Sequence, residues 1–484
     1  MCAIVGIINS EHAAKSAYYG LFAMQHRGQE ASGISANFEH KISTIKAKGL
    51  VTEVFSEEKL NTLKGAMAIG HNRYSTAGKE SGNDAQPVAA KYALGEISIV
   101  HNGNLVNKKE VRESLVKNGA IFQSNMDTEN ILHLIAKSSA PKLKDRIIEA
   151  LKEIKGAYCL LIMSRKKVFA VRDAYGVRPL SIGRLKDGGY IVASETCAFD
   201  LLGASFVRDV EPGEMIIFEE GKDSFESIKI FESEPRICAF EYIYFARPDS
   251  VIEGKSVYEM RKRLGSALAN KSCENSCDTC GNIKAKADLV IPVPDSGVPA
   301  ALGYAQSANI PFEMAIVRNH YVGRTFIEPT QEIRNLKVKL KLNPMSSVLA
   351  GKSIVVIDDS IVRGTTSKRI VEMLRHAGAK EIHMKIAAPQ IRYAEVYGID
   401  TPNRDELISA KKTCAQICEY IGADSLEFLS IDELVKALGD ERKYSLVSFD
   451  GNYFIKWKDK NVKKIIFSCA VFCAKYGRRT CYKT

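Results

Sequence analysis

No apolar run in the 484-residue chain approaches the ~18 residues that a membrane span requires; the longest near the C-terminus covers only 465–474. The opening MCAIVGI lacks both a basic stretch and a long apolar segment, so no secretory leader or propeptide is expected and the reading is a soluble, cytoplasmic chain. Internal repeats and low-complexity segments are missing too. Hydrophobic residues at 45% and charged residues at 26% match a globular composition, which excludes wholesale disorder and fibrous architectures. At about 150 residues per domain the length allows two to four domains.

The net charge of +11 suggests nucleic acid until it is located. Residues 456–484 carry seven Lys, two Arg and one Asp, or +8, which leaves +3 for the rest of the chain. The basicity belongs to a tail rather than a binding face, so no nucleic-acid partner is expected. Twelve cysteines are scattered through the sequence, which points to reduced thiols with one or two in chemistry or metal binding.

The first ~230 residues hold short strand-like stretches at 2–8, 66–72, 97–101, 158–164, 167–172, 190–194 and 214–218, with helical patterns at 16–25 and 128–136. They predict a layered α+β domain of mostly antiparallel strands. From about Pro235 the order becomes strand then helix: strands at 287–292, 353–357 and 381–388, helices at 299–307 and 365–377. This alternation predicts an α/β domain with a parallel sheet. The polar stretch 272–288 reads as a loop.

Cys2 becomes the first residue once Met1 is removed. A free N-terminal cysteine carries a thiol of pKa ~8.5 and, in the same residue, an amine of pKa ~7.7–8.0 able to serve as its base. Taken alone, a Cys at position 2 is usually a buried strand residue. Four further segments lie in the same domain: QHRGQEASG with Arg27 in a Gly-flanked turn, GHNRYSTAG with Arg73 after a strand, HNGNL after the strand at 97–100, and Asp127 opening a helix.

Together these elements resemble the class II, N-terminal-nucleophile glutamine amidotransferases over most of residues 2–220. The resemblance implies a four-layer αββα Ntn-hydrolase domain. It also implies that Cys2 attacks a glutamine amide while Asn102 and the Gly103 N–H form an oxyanion hole. Arg73 would hold the glutamine carboxylate, Asp127 its ammonium group, and Arg27 would line the site.

In the second half, SIVVIDDSIVRGTTSKRIVEML (353–374) places two carboxylates at the end of an apolar strand and a Gly–Thr–Thr–Ser run at a helix start. Ligands of open α/β sheets bind at such strand ends. The N–H groups, Gly364 and the Thr365, Thr366 and Ser367 hydroxyls suit phosphate, and Asp358 and Asp359 suit ribose hydroxyls and Mg²⁺. A capped helix after an Asx turn would explain one Asp and one Thr, not the whole cluster.

The segment resembles the 5-phosphoribosyl 1-diphosphate (PRPP) loop of type I phosphoribosyltransferases, which adds Ser360 and Arg363 to the PRPP contacts. PVPDSG (292–297) resembles that family's second loop, with Ser296 as a further metal ligand. VRNHYVGRTFI followed by LKVKLKL resembles its closing lid, offering Arg318, Arg324 and Lys337 to pyrophosphate; the alternative is a solvated strand edge.

The two halves in this order, joined through FEYIYFARPDS (240–250), resemble the amidophosphoribosyltransferase family. That resemblance implies an Ntn domain at 2–232, a phosphoribosyltransferase domain at 233–455 and a tail at 456–484. The implied reaction converts glutamine, PRPP and water to 5-phosphoribosylamine, glutamate and pyrophosphate, with one Mg²⁺ per subunit and ammonia passed between two sites. Purine nucleotides are expected as feedback inhibitors and a homo-oligomer as the assembly. The competing reading is a PRPP or nucleotide sensor that kept the loop and lost turnover.

Some members of the family hold an iron–sulfur cluster on four cysteines. Here Cys238 stands at the first position, Glu395 replaces the second, and Ser445 and Ser448 replace the last two, so no cluster is expected. Cys273, Cys277 and Cys280 form C-x₃-C-x₂-C in a polar loop without a fourth local ligand and read as loop residues. Cys469, Cys473 and Cys481 in the tail have no assigned role.

Overall fold

A computed structural model of the chain describes residues 1–74, 84–270, 287–319, 342–399, 404–439 and 444–456. In the first half two antiparallel sheets lie face to face. One has seven strands in the spatial order Ser205–Asp209, Ser181–Arg184, Tyr190–Ala193, Ala3–Ile8, Met67–Arg73, Ala31–Phe38, Lys41–Lys48. The other has six, in the order Phe225–Lys229, Glu214–Glu219, Lys167–Arg172, Gly156–Ser164, Gly95–Leu105, Val88–Tyr92.

Side-chain alternation builds the layers. Ala3, Val5 and Ile7 pack toward the helix Ala13–Ala23, while Ile4 and Ile8 meet Val100, Leu161 and Met163 between the sheets. Ile97, Ile99, Leu160 and Ile162 face the helices Asp127–Lys137 and Leu143–Glu153 on the far side. The result is the αββα stack that the sequence implied.

The expected short strand at 97–101 runs from Gly95 to Leu105 and keeps its pairing to the end, with Asn102 opposite Cys159, Gly103 opposite Tyr158 and Leu105 opposite Gly156. The Asn-Gly pair is therefore ladder backbone and not a turn. The strands at 31–38, 41–48, 88–92, 181–184, 205–209 and 225–229 were not expected. Several, such as Lys41–Lys48 and Ser205–Asp209, lie at sheet edges and are largely exposed, so the apolar alternation that reveals a strand is weak there.

The second half is built on four parallel strands in the order Leu289–Pro292, Ser353–Asp358, Glu381–Ile386, Ser425–Phe428; the last was not expected. The phosphate-loop helix spans Thr365–His376. One buried apolar cluster crosses between the halves, joining Met1, Ala157 and Val177 to Ile237, Tyr242, Val355 and Tyr397. A short parallel pair, Ile237–Cys238 with Tyr444–Ser445, closes the second half. Among the described residues no helix is long and apolar enough to cross a membrane.

The helices Val257–Asn270 and Val298–Ala308 touch through reciprocal glycines. A Cβ on Gly265 would lie 1.8 Å from the Ala300 carbonyl oxygen, and one on Gly303 2.0 Å from that of Lys262. The second helix comes directly after the loop that carries Ser296, so this contact fixes one wall of the phosphate site. Gly303→Ala should destabilise the protein by about 1–3 kcal/mol through overpacking, read as a lower urea midpoint; an unchanged midpoint would show that the helices can part at no cost.

Candidate active sites

Cys2 precedes the central strand Ala3–Ile8 and is 8% exposed. Its N–H donates to Asn102 Oδ1 at 3.2 Å, and its Sγ lies 3.6 Å from the Tyr74 carbonyl oxygen. Burial pushes the thiol's pKa up, against the amino terminus and Arg73, which favour the thiolate. Asn102 Nδ2 is buried and has no hydrogen-bond partner. An unused donor beside the thiol is what an oxyanion hole must offer before charge develops. Gly103 sits at φ +147°, where a Cβ would fall 2.0 Å from the Ala157 carbonyl oxygen, so only glycine fits.

Arg73 ends its strand about 15% exposed, directed at the Asp84 carbonyl and 4.0 Å from Glu30. Asp127 opens its helix, accepts the Leu105 N–H at 2.9 Å and lies 3.3 Å from His101 Nδ1. Burial opposes its charge, but His101, Lys108 and the Leu105 N–H outweigh burial and hold the carboxyl well below the usual range. The charges of Arg73 and Asp127 both act on the Cys2 thiol, the first favouring the thiolate and the second opposing it.

Arg27 departs from expectation. It sits in a one-turn 3₁₀ helix, Gln25–Arg27, and its side chain has no exposure. Nε donates to the Cys2 carbonyl at 3.0 Å, Nη1 to Glu195 and to Glu241 at 3.0 Å, and Nη2 to the other Glu241 oxygen at 3.0 Å. The guanidinium is spent on protein partners and has no exposed face, so Arg27 holds the Cys2 backbone instead of lining an open site. Sequence reading missed its partners. Glu195 also accepts from His26, Ser250 Oγ and the Arg247 N–H, and Glu241 lies within the FEYIYF segment, which shows no periodicity to mark it.

In the second half Asp358 ends the strand Ser353–Asp358, Asp359 follows it, and both are buried. Ser296 Oγ donates to Asp359 Oδ2 at 2.6 Å and Ser360 Oγ to Asp359 Oδ1 at 2.6 Å, which brings the two expected loops together. Burial raises both carboxyls; Asp359 adds repulsion at Asp358, whereas hydroxyl bonds and the Arg261 charge partly relieve Asp359. Arg261 was not foreseen; it donates to the Tyr242 and Ala246 carbonyls at 2.8 Å each.

Gly364 N-caps the loop helix, and Thr365 and Thr366 are exposed at its free N-terminus, open to an anion. Arg363 is exposed and pairs with Glu406 at 2.8 Å, and Arg318 pairs with Asp295 across the site's mouth. Arg324 and Lys337 lie outside the described residues, as do Cys273, Cys277, Cys280 and the tail cysteines. The donors gathered here are two carboxylates and two hydroxyls, all hard oxygens. They fit an Mg²⁺ that keeps water and phosphate oxygens in its shell, and are too few for a dedicated all-protein cage.

At the positions of the family's cluster, Cys238 pairs with Ser445 across the short parallel ladder. Glu395 lies 3.3 Å from Arg178 and accepts the Tyr397 and Ile399 N–H groups at 3.0 and 2.6 Å. The Ser445 and Ser448 hydroxyls are buried and unpartnered.

The buried ion group has a pH signature. Burial works against the Glu195 charge, but His26 and Arg27 outweigh it and hold the carboxyl well below its ordinary range. A depressed carboxyl contributes stability above its unfolded pKa of about 4.3, and the contribution fades as pH falls below that value. Glu195→Gln, which leaves the buried Arg27 with only one of its two carboxylates, should cost about 3–5 kcal/mol at neutral pH. The deficit should shrink in urea titrations near pH 3; a deficit that did not change with pH would mean Glu195 is not the ionised partner.

The glutamine amidotransferase domain family matches residues 71–200 and the phosphoribosyl transferase domain family residues 265–397. Amidophosphoribosyltransferase 1, chloroplastic, of Arabidopsis thaliana is 48% identical over 466 residues, covering 96% of this chain and 80% of that protein. The amidophosphoribosyltransferase of Bacillus subtilis is 46% identical over 462 residues, covering 93% of this chain and 94% of its own. Among solved structures, the B. subtilis glutamine PRPP amidotransferase complexed with ADP and GMP superposes with a TM-score of 0.87 at 44% identity, over 95% of this chain and 98% of that one. With both sites assembled in one chain and likeness of this extent along nearly its whole length, the chain belongs to the amidophosphoribosyltransferase family.

Proposed function

We propose that the two sites act in turn on one nitrogen atom. Cys2 Sγ attacks the glutamine amide carbon while its own amine, freed by loss of Met1, takes the thiol proton. The tetrahedral oxyanion receives the Asn102 Nδ2 and Gly103 N–H donors, the amine passes the thiol proton to the leaving nitrogen so that ammonia departs as the C–N bond breaks, and water then releases glutamate from the thioester and returns a proton to the thiol. Arg73 and Asp127 hold the two charged ends of the amino acid. In the second half the loop helix and its hydroxyls bind the 5-phosphate, and Asp358 and Asp359 orient the ribose. Ammonia then forms the bond to C1 as the bond to pyrophosphate breaks, giving 5-phosphoribosylamine, the first intermediate of purine synthesis.

Mg²⁺, one per subunit, would sit with the pyrophosphate beside Asp358, Asp359 and Ser296 and would neutralise charge on the leaving group. The observation that carries the reading is the unspent Asn102 donor beside Cys2 in a chain whose other half ends a parallel strand in paired carboxylates. Met1 lies buried and its amine is lowered to about 5, mainly by burial, so processing must precede glutamine use.

Purine nucleotides are the inhibitors this reading favours, since a relative of 44% identity was solved with ADP and GMP. A homo-oligomer, a cytoplasmic location and the absence of an iron–sulfur cluster complete the proposal, the last supported by Glu395 and two serines at ligand positions. The 2–232 and 233–455 division places the nucleophile and the PRPP loop in separate domains. A PRPP sensor is disfavoured, because it would need neither Cys2 nor an oxyanion hole.

The decisive measurement is whether glutamate release with PRPP is matched by stoichiometric pyrophosphate. Cys2→Ser should abolish synthesis from glutamine and spare synthesis from added ammonia; loss of both would defeat the two-site reading. Asp358→Asn and Asp359→Asn should each leave the fold intact and reduce synthesis at least tenfold, given roughly 1.5–3 kcal/mol for a charged hydrogen bond. That loss should be equal with glutamine and with ammonia; ammonia-dependent rates near wild type would remove these aspartates from the PRPP site.

A further inference from the structure

The backbone of the glutamine site is held from outside its own domain. Asn104 Nδ2, one residue past the oxyanion glycine, donates to the Val396 carbonyl at 2.8 Å. Gly398, at φ +122°, lies so close that a Cβ there would stand 3.1 Å from both the Cα and the carbonyl carbon of Gly103. The segment 395–399 therefore lies directly against the Asn102–Asn104 backbone.

The same segment reaches the nucleophile by a second route. Glu395 folds it by accepting the Tyr397 and Ile399 N–H groups, and Arg178 grips it through Glu395 at 3.3 Å and the Tyr397 carbonyl at 3.0 Å. Arg178 Nη1 lies 3.6 Å from Glu241, which holds Arg27, which in turn holds the Cys2 carbonyl. Arg27, Arg178, Glu195 and Glu241 have no side-chain exposure, and fully desolvated charges of this kind tolerate little displacement. At its other end the segment continues from the strand Glu381–Ile386, where Ala387 N–H donates to the Asp358 carbonyl at 2.9 Å.

We propose that Glu395, Arg178 and Gly398 are positioning residues for glutamine hydrolysis: they clamp the oxyanion-hole backbone and the Cys2 carbonyl to the phosphoribosyltransferase half. The inference rests on Cys2, Asn102 and Gly103 being the glutaminase machinery. None of the three is among the residues proposed to hold glutamine. Their effect is to set where the Gly103 N–H points, which matters to the transition state and not to ground-state binding.

Gly398→Ala pushes a methyl onto Gly103 without touching a charge. Glutamine-dependent kcat should fall by roughly tenfold or more, toward the loss expected of a missing oxyanion donor. The glutamine KM should stay within about threefold and ammonia-dependent synthesis within about twofold, because neither requires the oxyanion hole. Glu395→Ala should show the same split and Glu395→Gln, which keeps an acceptor for the segment, should recover part of it. If Gly398→Ala fails to fold, Asn104→Ala, which deletes the Val396 bond together with the bond that Asn104 Oδ1 accepts from Lys108, must show the split, and Lys108→Ala, which removes only the second bond, must not. An unmoved glutamine rate in the folded variant, or equal loss of both activities, overturns the proposal. Cys2→Ser run in parallel separates the two failures: glutamine use surviving that change would refute the nucleophile assignment itself.

Discussion

A guanidinium without solvent must have its charge and its donors satisfied by protein, and Arg27 draws its two carboxylates from parts of the chain far from its own turn. Glu195 comes from the first half and Glu241 from the second, and both share the Arg27 Nη1. Removing a charge from water costs several kcal/mol unless geometry and further hydrogen bonds compensate, so the halves must dock closely for the group to exist. The Nε proton then remains for the Cys2 carbonyl. The position of the Cys2 backbone is thus set by an ion group drawn from distant parts of the chain, whose members are as fully buried as the apolar cluster of Met1, Val177 and Tyr242.

The phosphate site obeys the opposite rule. Asp358 and Asp359 are buried together with hydroxyls as partners, and both carboxyls are raised in consequence. Arg261 balances their charges only in part, and on the proposed reading they gain most from a cation that arrives with the substrate. On the proposed reading the site stays electrostatically incomplete until PRPP binds and contributes its stabilisation at binding.

The two halves are legible in the sequence to different degrees. The strand and helix of the PRPP loop stand out because a fully buried parallel strand reads as an unbroken apolar run and the loop chemistry is concentrated in a few residues. Cys2, Asn102, Gly103, Arg73 and Asp127 are legible only through the resemblance, since lone polar residues at strand ends carry no period. The HNGNL segment reads as lying beyond its strand, and the structure corrects this: Asn-Gly favours turns, but pairing with Gly156–Ser164 overrides local preference through Leu105. Arg27 is misplaced for a related reason. Its Gly-flanked setting suggests an accessible loop, whereas the carboxylates that bury it lie 168 and 214 residues away. Long-range charge pairing leaves no trace in a local window.

The segment 395–399 ties the two sites to one another. Its backbone contacts the oxyanion-hole strand, its carboxylate contacts Arg178, and its chain leads back to the strand beside Asp358. A displacement at either end must be absorbed by buried, hydrogen-bonded groups that have few alternative arrangements. Cleaving the chain near residue 232 would leave Arg27 with one of its two carboxylates, Arg178 with neither Glu241 nor Glu395, and the Gly103 backbone without its neighbour. On the proposed two-step reaction that dependence has a chemical use. Ammonia released without a committed acceptor is lost to water, and a glutaminase whose oxyanion hole is shaped by the acceptor's own domain is competent only where that acceptor can be met.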